Sequence, residues 1–102
     1  MELIKKITDL KDTVGLMTSQ DYKKRFKAEY VQLYIRTKKL SDMLYKLEEN
    51  ELEENELEFT LACSKDTLYN QLFSMINYLK FMEQRSVTEG ISMEYEEGDE
   101  IE

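Results

Sequence analysis

A long apolar seam is the feature that most constrains the fold of this chain. Seven positions between residues 26 and 47 follow one another at alternating spacings of four and three, which places them on one side of an α-helix. These positions are Phe26, Tyr30, Leu33, Thr37, Leu40, Leu44 and Leu47. Because the 102 residues include no proline and only three glycines, little interrupts helix formation. The pattern therefore predicts a long helix over about 19–48 in an all-α protein.

Two further segments have helical spacing. Apolar residues near the N-terminus recur every three or four positions and predict a short helix over about 2–14. A second long seam predicts a helix over about 64–89, with Ser64 as its N-cap and Gly90 near its end. This seam consists of Leu68, Leu72, Met75, Leu79 and Met82.

The segments outside these helices are acidic. The connector over about 48–62 contains the sequence EENEL twice in tandem, and its five-residue period fits neither a helix nor a strand, so we expect a solvated loop. We expect residues 92–102 to form an acidic flexible tail, or to dock only through neighbouring apolar side chains. Residues 1–91 are then a single domain, a short N-terminal helix followed by a long antiparallel helical hairpin. The apolar side chains available for docking the tail are Ile91, Met93 and Tyr95.

The breadth of the apolar faces predicts self-association. Two paired helices bury one stripe of each other and leave further apolar side chains uncovered, which marks an interface. We therefore expect a homo-oligomeric helical bundle, at least a dimer with four long helices. The side chains expected to stay partly exposed are Val31, Ile35, Tyr69, Phe73 and Ile76.

Composition argues against catalysis. The chain has no histidine, which excludes Ser-His-Asp and Cys-His catalysis and every His-ligated metal site. Its one cysteine allows no internal disulfide, and no apolar run approaches the roughly 18 residues of a membrane span. No constellation of acid, base and nucleophile stands out. We predict a protein that is not an enzyme, has no catalytic or metal-binding residues, needs no cofactor and does not interact with a membrane.

The net charge of −8 is unevenly divided, with +5 in residues 1–46 and −13 in residues 47–102. The long helix opens with basic and aromatic residues, where a ring can stack on a base while cations hold a phosphate. Arg36 lies beside the seam and needs an anion, from Glu29, Glu83, another subunit or a ligand phosphate, and Arg85 needs one in the same way. The lysines also suit a solvated face. The candidate ligand-binding residues are Tyr22, Lys24, Arg25, Arg36, Lys39 and Arg85.

Two stretches carry a resemblance to known proteins. The first is DYKKRFKAEY at 21–30, continued by Gln32, Leu33, Arg36 and Leu40. The second is QLxxMxxYLxxxExR at 71–85, followed by Glu-Gly-Ile at 89–91. Over about 19–91 the chain resembles small phage-encoded helical-hairpin accessory proteins. Their layout is similar to that of the anti-CBASS and anti-Thoeris sponge proteins, which sequester cyclic nucleotide signals of bacterial defence.

The resemblance implies a phage anti-defence protein in the cytoplasm of an infected bacterium. Such a protein binds a small anionic nucleotide signal in pockets between its subunits. The chain departs from the pattern in its duplicated connector and in Thr37, which stands where the sponges have a basic ligand contact. The acidic half repels polyanions, so we expect no DNA or RNA partner. The alternative is an oligomeric acidic adaptor or inhibitor that presents its connector and tail to a host protein.

Overall fold

The computed structural model describes residues 1–49 and 64–101, and these are mainly helical. The elements are α1 (Leu3–Lys6), a 3-10 turn (Leu10–Thr13), α2 (Val14–Met17), α3 (Tyr22–Glu48) and α4 (Lys65–Glu89). No strand forms within the described ranges, where only an isolated bridge pairs Glu2 with Glu94. The predicted all-α fold is confirmed. Most of the duplicated connector lies outside the described residues.

α3 and α4 form the antiparallel hairpin that the two seams predict. Near the start of α3, Phe26 and Tyr30 pack with Met82 near the end of α4. At the opposite end, Leu44 packs with Leu68 and Leu72. Burial of these two apolar stripes against each other stabilises both helices, which would be marginal in isolation.

Local capping sets the helix ends. Asp21, rather than a residue near 19, caps α3, and its carboxylate accepts a hydrogen bond from the backbone N–H of Lys23 at 2.9 Å. The Ser64 hydroxyl accepts from the backbone N–H of Thr67 at 3.3 Å and caps α4. Gly90 ends α4 with a φ of 67°, a left-handed conformation that favours glycine. This turn brings Ile91 back into the core.

The single helix predicted over 2–14 is corrected to α1, an extended link, the 3-10 turn and the beginning of α2. The chain leaves helical geometry at Ile7 (φ −106°, ψ 115°) and is extended again at Asp9. The break lets Leu3, Ile7 and Leu16 all become fully buried against α3. Apolar burial therefore overrides the local helical pattern.

The N-terminal segment also covers part of the surface that the sequence leaves open. Val31 and Ile35, expected to stay partly exposed, are buried in a cluster with Leu3, Ile7 and Leu16. On α4, in contrast, Phe73 is 57% exposed. Tyr69 and Ile76 are half-buried, so Phe73 alone of the five side chains stays largely exposed.

The acidic tail, expected to be flexible, is placed against α3 and the N-terminus. Its backbone pairs with the first residues, since Leu3 N–H donates to the Met93 carbonyl at 3.0 Å and Tyr95 N–H to the Met1 carbonyl at 2.8 Å. Farther along, the buried Asp99 carboxylate lies 3.1 Å from the Lys27 ammonium. A buried ammonium requires an anion, and the tail supplies it.

Candidate functional site

The start of α3 meets the end of α4 in a compact polar cluster. The Tyr22 hydroxyl donates to Glu89 Oε1 at 2.7 Å and accepts from Arg85 Nη2 at 2.5 Å. Arg85 Nε also donates to Glu89 Oε2 at 2.9 Å, and the guanidinium lies 4.9 Å from the centre of the Phe26 ring. The antiparallel hairpin thus joins two candidates that are 63 residues apart in the chain.

The cluster favours an ionised Glu89. Hydrogen bonds from Tyr22 and Arg85 lower the pKa of the Glu89 carboxyl below its ordinary value. The hydrogen bond to Glu89 correspondingly raises the pKa of the Tyr22 hydroxyl, which stays protonated. Glu89 therefore supplies the anion that the sequence requires for Arg85. Sequence reasoning missed this partner, although the spacing of four residues on one helix indicates it.

Two exposed aromatic rings lie on the same side of α4 as this arginine. Tyr78, Phe81 and Arg85 lie within two turns on one side of α4, and each aromatic ring is substantially exposed. The Tyr78 hydroxyl donates to the carboxylate of Glu29 on α3. We call Tyr22, Tyr78, Phe81 and Arg85 the aromatic–arginine face. It combines flat apolar surfaces with a cation, an arrangement that can stack a base and hold a phosphate.

Two other candidate residues, Lys24 and Arg25, bind partners within the chain. Lys24 forms an ion pair with Asp99 at 3.0 Å. Arg25 donates from Nη1 to the Ser19 carbonyl at 2.8 Å and so braces the turn before α3. Neither residue belongs to the aromatic–arginine face.

Arg36 and Lys39 are also separate from this face. Arg36 is exposed, and the acids proposed for it are engaged elsewhere, since Glu29 accepts from Tyr78 and Glu83 accepts from the Tyr30 hydroxyl at 2.7 Å. An anion for Arg36 from another subunit or from a ligand stays a prediction. Lys39 borders a cleft between α1 and α3.

Two further features of the described residues concern metal ligands and membrane-spanning helices. Within residues 1–49 and 64–101, no group of three or more potential ligands from Cys, Asp or Glu is arranged to hold a metal ion. In the same part of the chain, no helix has both the length and the apolar character required to cross a bilayer.

The fold and this face define a small all-α protein, a helical hairpin that exposes aromatic rings and an arginine at one end. The Sequestin family model matches residues 20–87, about two thirds of the chain, and the protein belongs to this family. The match spans all of α3, most of α4 and all six candidate residues. Searches of curated proteins and of solved structures found no match.

Proposed function

We propose that this protein is a non-enzymatic sponge of phage origin that counters bacterial defence. It binds and sequesters a small anionic nucleotide signal, such as a cyclic oligonucleotide, without turning it over. The observation that carries this proposal is membership of the Sequestin family, whose name indicates sequestration. The proposed setting is the cytoplasm of an infected bacterium.

The aromatic–arginine face suits such a ligand. Tyr22 and Phe81 offer exposed rings for stacking with a base. Arg85 offers a planar guanidinium that matches phosphate geometry. A bound phosphate takes the place of Glu89 as the partner of Arg85, so the internal ion pair keeps the guanidinium positioned until the ligand arrives.

The outer face of α4 supports a site shared between subunits. Phe73, Phe81 and Val87 are 57%, 64% and 83% exposed, respectively. We propose that this apolar outer face packs against a second copy of the chain. Because Phe81 also belongs to the aromatic–arginine face, the second copy lies beside Arg85 and encloses the ligand.

The alternative, an acidic adaptor for a host protein, has less support. The charge of −13 in residues 47–102 is the observation that favours this alternative. However, Glu96 and Asp99 of the tail are paired with Lys27 on α3, and Asp99 also pairs with Lys24. The buried Asp99 carboxylate is therefore not presented to a partner, and the exposed Glu96 is already paired within the chain.

The variant Arg85→Gln tests the assignment. We expect its affinity for the cyclic nucleotide that the wild type binds to fall by about 10- to 100-fold, because charge-assisted hydrogen bonds to phosphate contribute about 1.5–3 kcal/mol. Isothermal titration calorimetry with a panel of cyclic di- and trinucleotides measures the change. Lys46→Gln, which removes an exposed cation near the far end of α3, serves as the matched control. Full affinity in an intact Arg85→Gln protein would contradict the assignment.

A further inference from the structure

A second cationic cleft lies between the N-terminal segment and α3, away from the aromatic–arginine face. Its volume is about 400 Å³, within the usual range for small-molecule sites. Ile4, Ile7 and Ile35 contribute an apolar lining. The other lining residues are Lys5, Thr8, Tyr34, Lys38, Lys39 and Asp42.

The cleft is built from the basic part of the chain and carries a net positive charge. Three lysines line it with a single carboxylate, which belongs to Asp42. Lys38 pairs with Asp42 at 3.2 Å, whereas Lys5 and Lys39 have no carboxylate at salt-bridge distance in the part of the chain that the structure describes. Two lysines without a carboxylate partner at one cleft favour the binding of an anion there.

The remaining lining identifies the kind of anion. Ile7 and Ile35 are buried, whereas Ile4 and Tyr34 are half-buried and keep apolar surface at the cleft. A nucleobase can cover such surface, and an inorganic anion cannot. We propose that this cleft is a second ligand site, which binds a nucleoside phosphate with its base against Ile4 and Tyr34 and its phosphate between Lys5 and Lys39. The class of ligand rests on the proposed function; the location does not.

Neighbouring acids fix the orientation of this ligand. Ile4 and Tyr34 also line an adjoining cavity, whose other residues include Glu2, Glu83 and Glu94. A phosphate on that side would meet three carboxylates. The phosphate therefore lies toward Lys5 and Lys39, and the base occupies the end shared with Tyr34.

Nuclear magnetic resonance titration of the full chain with AMP, compared with adenosine, tests the site. We expect AMP to shift the backbone amide signals of Lys5, Tyr34 and Lys39, and adenosine to bind at least about tenfold more weakly because it lacks the phosphate. The double variant Lys5→Glu/Lys39→Glu is expected to lose the AMP-induced shifts. Lys46→Glu, with the same charge change elsewhere on α3, is expected to retain them.

The outcomes separate this site from the proposed sponge function. Unchanged AMP binding by the double variant, shifts confined to Tyr22 and Arg85, or no AMP binding at all would overturn the cleft proposal. If cyclic nucleotides still bound through Arg85, the sponge function would stand without the cleft. AMP binding at the cleft by a protein that binds no cyclic nucleotide would support the cleft and remove the sponge function.

Discussion

Replacing Asp99 by alanine is expected to release the C-terminal segment and to lower the free energy of unfolding by about 3 kcal/mol, as for a broken buried ion pair. The Asp99 carboxylate accepts from the ammonium groups of Lys24 and Lys27 and from the backbone N–H of Glu96 at 2.9 Å. Lys27 is only 2% exposed, so removal of this carboxylate leaves its ammonium with the exposed Glu96 as its one ion-pair partner. Once the tail is released, water reaches the Lys27 ammonium and solvates it. This solvation limits the loss of stability in the variant.

The same contact predicts a pH dependence. Burial by itself would raise the pKa of Asp99, but the hydrogen bonds from Glu96, Lys24 and Lys27 outweigh it, and the net effect lowers the pKa below its ordinary value. A carboxyl whose pKa is lower in the folded state stabilises the fold above its unfolded pKa of about 3.9. This stabilisation is lost as the pH falls below that value toward the folded pKa. The wild type should therefore lose its greater stability over Asp99→Ala as the pH falls below about 4.

Urea unfolding at pH 7 and at acidic pH, combined with hydrogen exchange of the Leu3 and Tyr95 amides, measures both effects. These amides donate the backbone hydrogen bonds that join the tail to the N-terminus. Glu97→Ala removes an exposed carboxylate from the same segment and should leave both measurements unchanged. If Asp99→Ala matched the wild type in stability and exchange, the buried ion pair would not hold the tail.

If the proposed oligomer forms, the double variant Phe73→Glu/Phe81→Glu is expected to dissociate it into 12.2 kDa monomers. Both side chains are more than half exposed on α4, so the folded subunit tolerates the change. In the packed assembly, however, the new carboxylates would be desolvated without partners, at a cost of several kcal/mol each.

Size-exclusion chromatography with light scattering measures the mass, and circular dichroism verifies that the helices persist. Tyr45→Glu is the matched control, because Tyr45 is 62% exposed but lies near the far end of α3. We expect this control to remain oligomeric. A wild-type protein that is itself monomeric at micromolar concentration would contradict the proposed assembly.

The sequence predicted the hairpin well because each long helix carries its own periodic signal. The seams through Leu44 and Leu72 are local patterns, and the cap at Ser64 and the left-handed turn at Gly90 are local chemistry. The N-terminal break was not predictable in this way. It depends on where Leu3 and Leu16 find apolar surface on α3, which is a property of the tertiary fold.

The site was only partly predictable for a similar reason. Tyr22 and Arg85 were selected for their residue types, and the antiparallel pairing brings them together. Lys27, in contrast, looked like one of several solvated lysines in a basic stretch. Its partner Asp99 lies 72 residues away in a segment expected to be flexible, so no local pattern indicates that the lysine is buried. Lys5 and Lys39 likewise meet only after the N-terminal segment has folded onto α3.

Native mass spectrometry with a panel of cyclic di- and trinucleotides tests directly whether the protein sequesters such a ligand. We predict an oligomer that gains the mass of one panel member at a fixed stoichiometry and releases it chemically unchanged on denaturation. Recovery of a cleaved nucleotide, or an oligomer that gains no mass from any member of the panel, would contradict it.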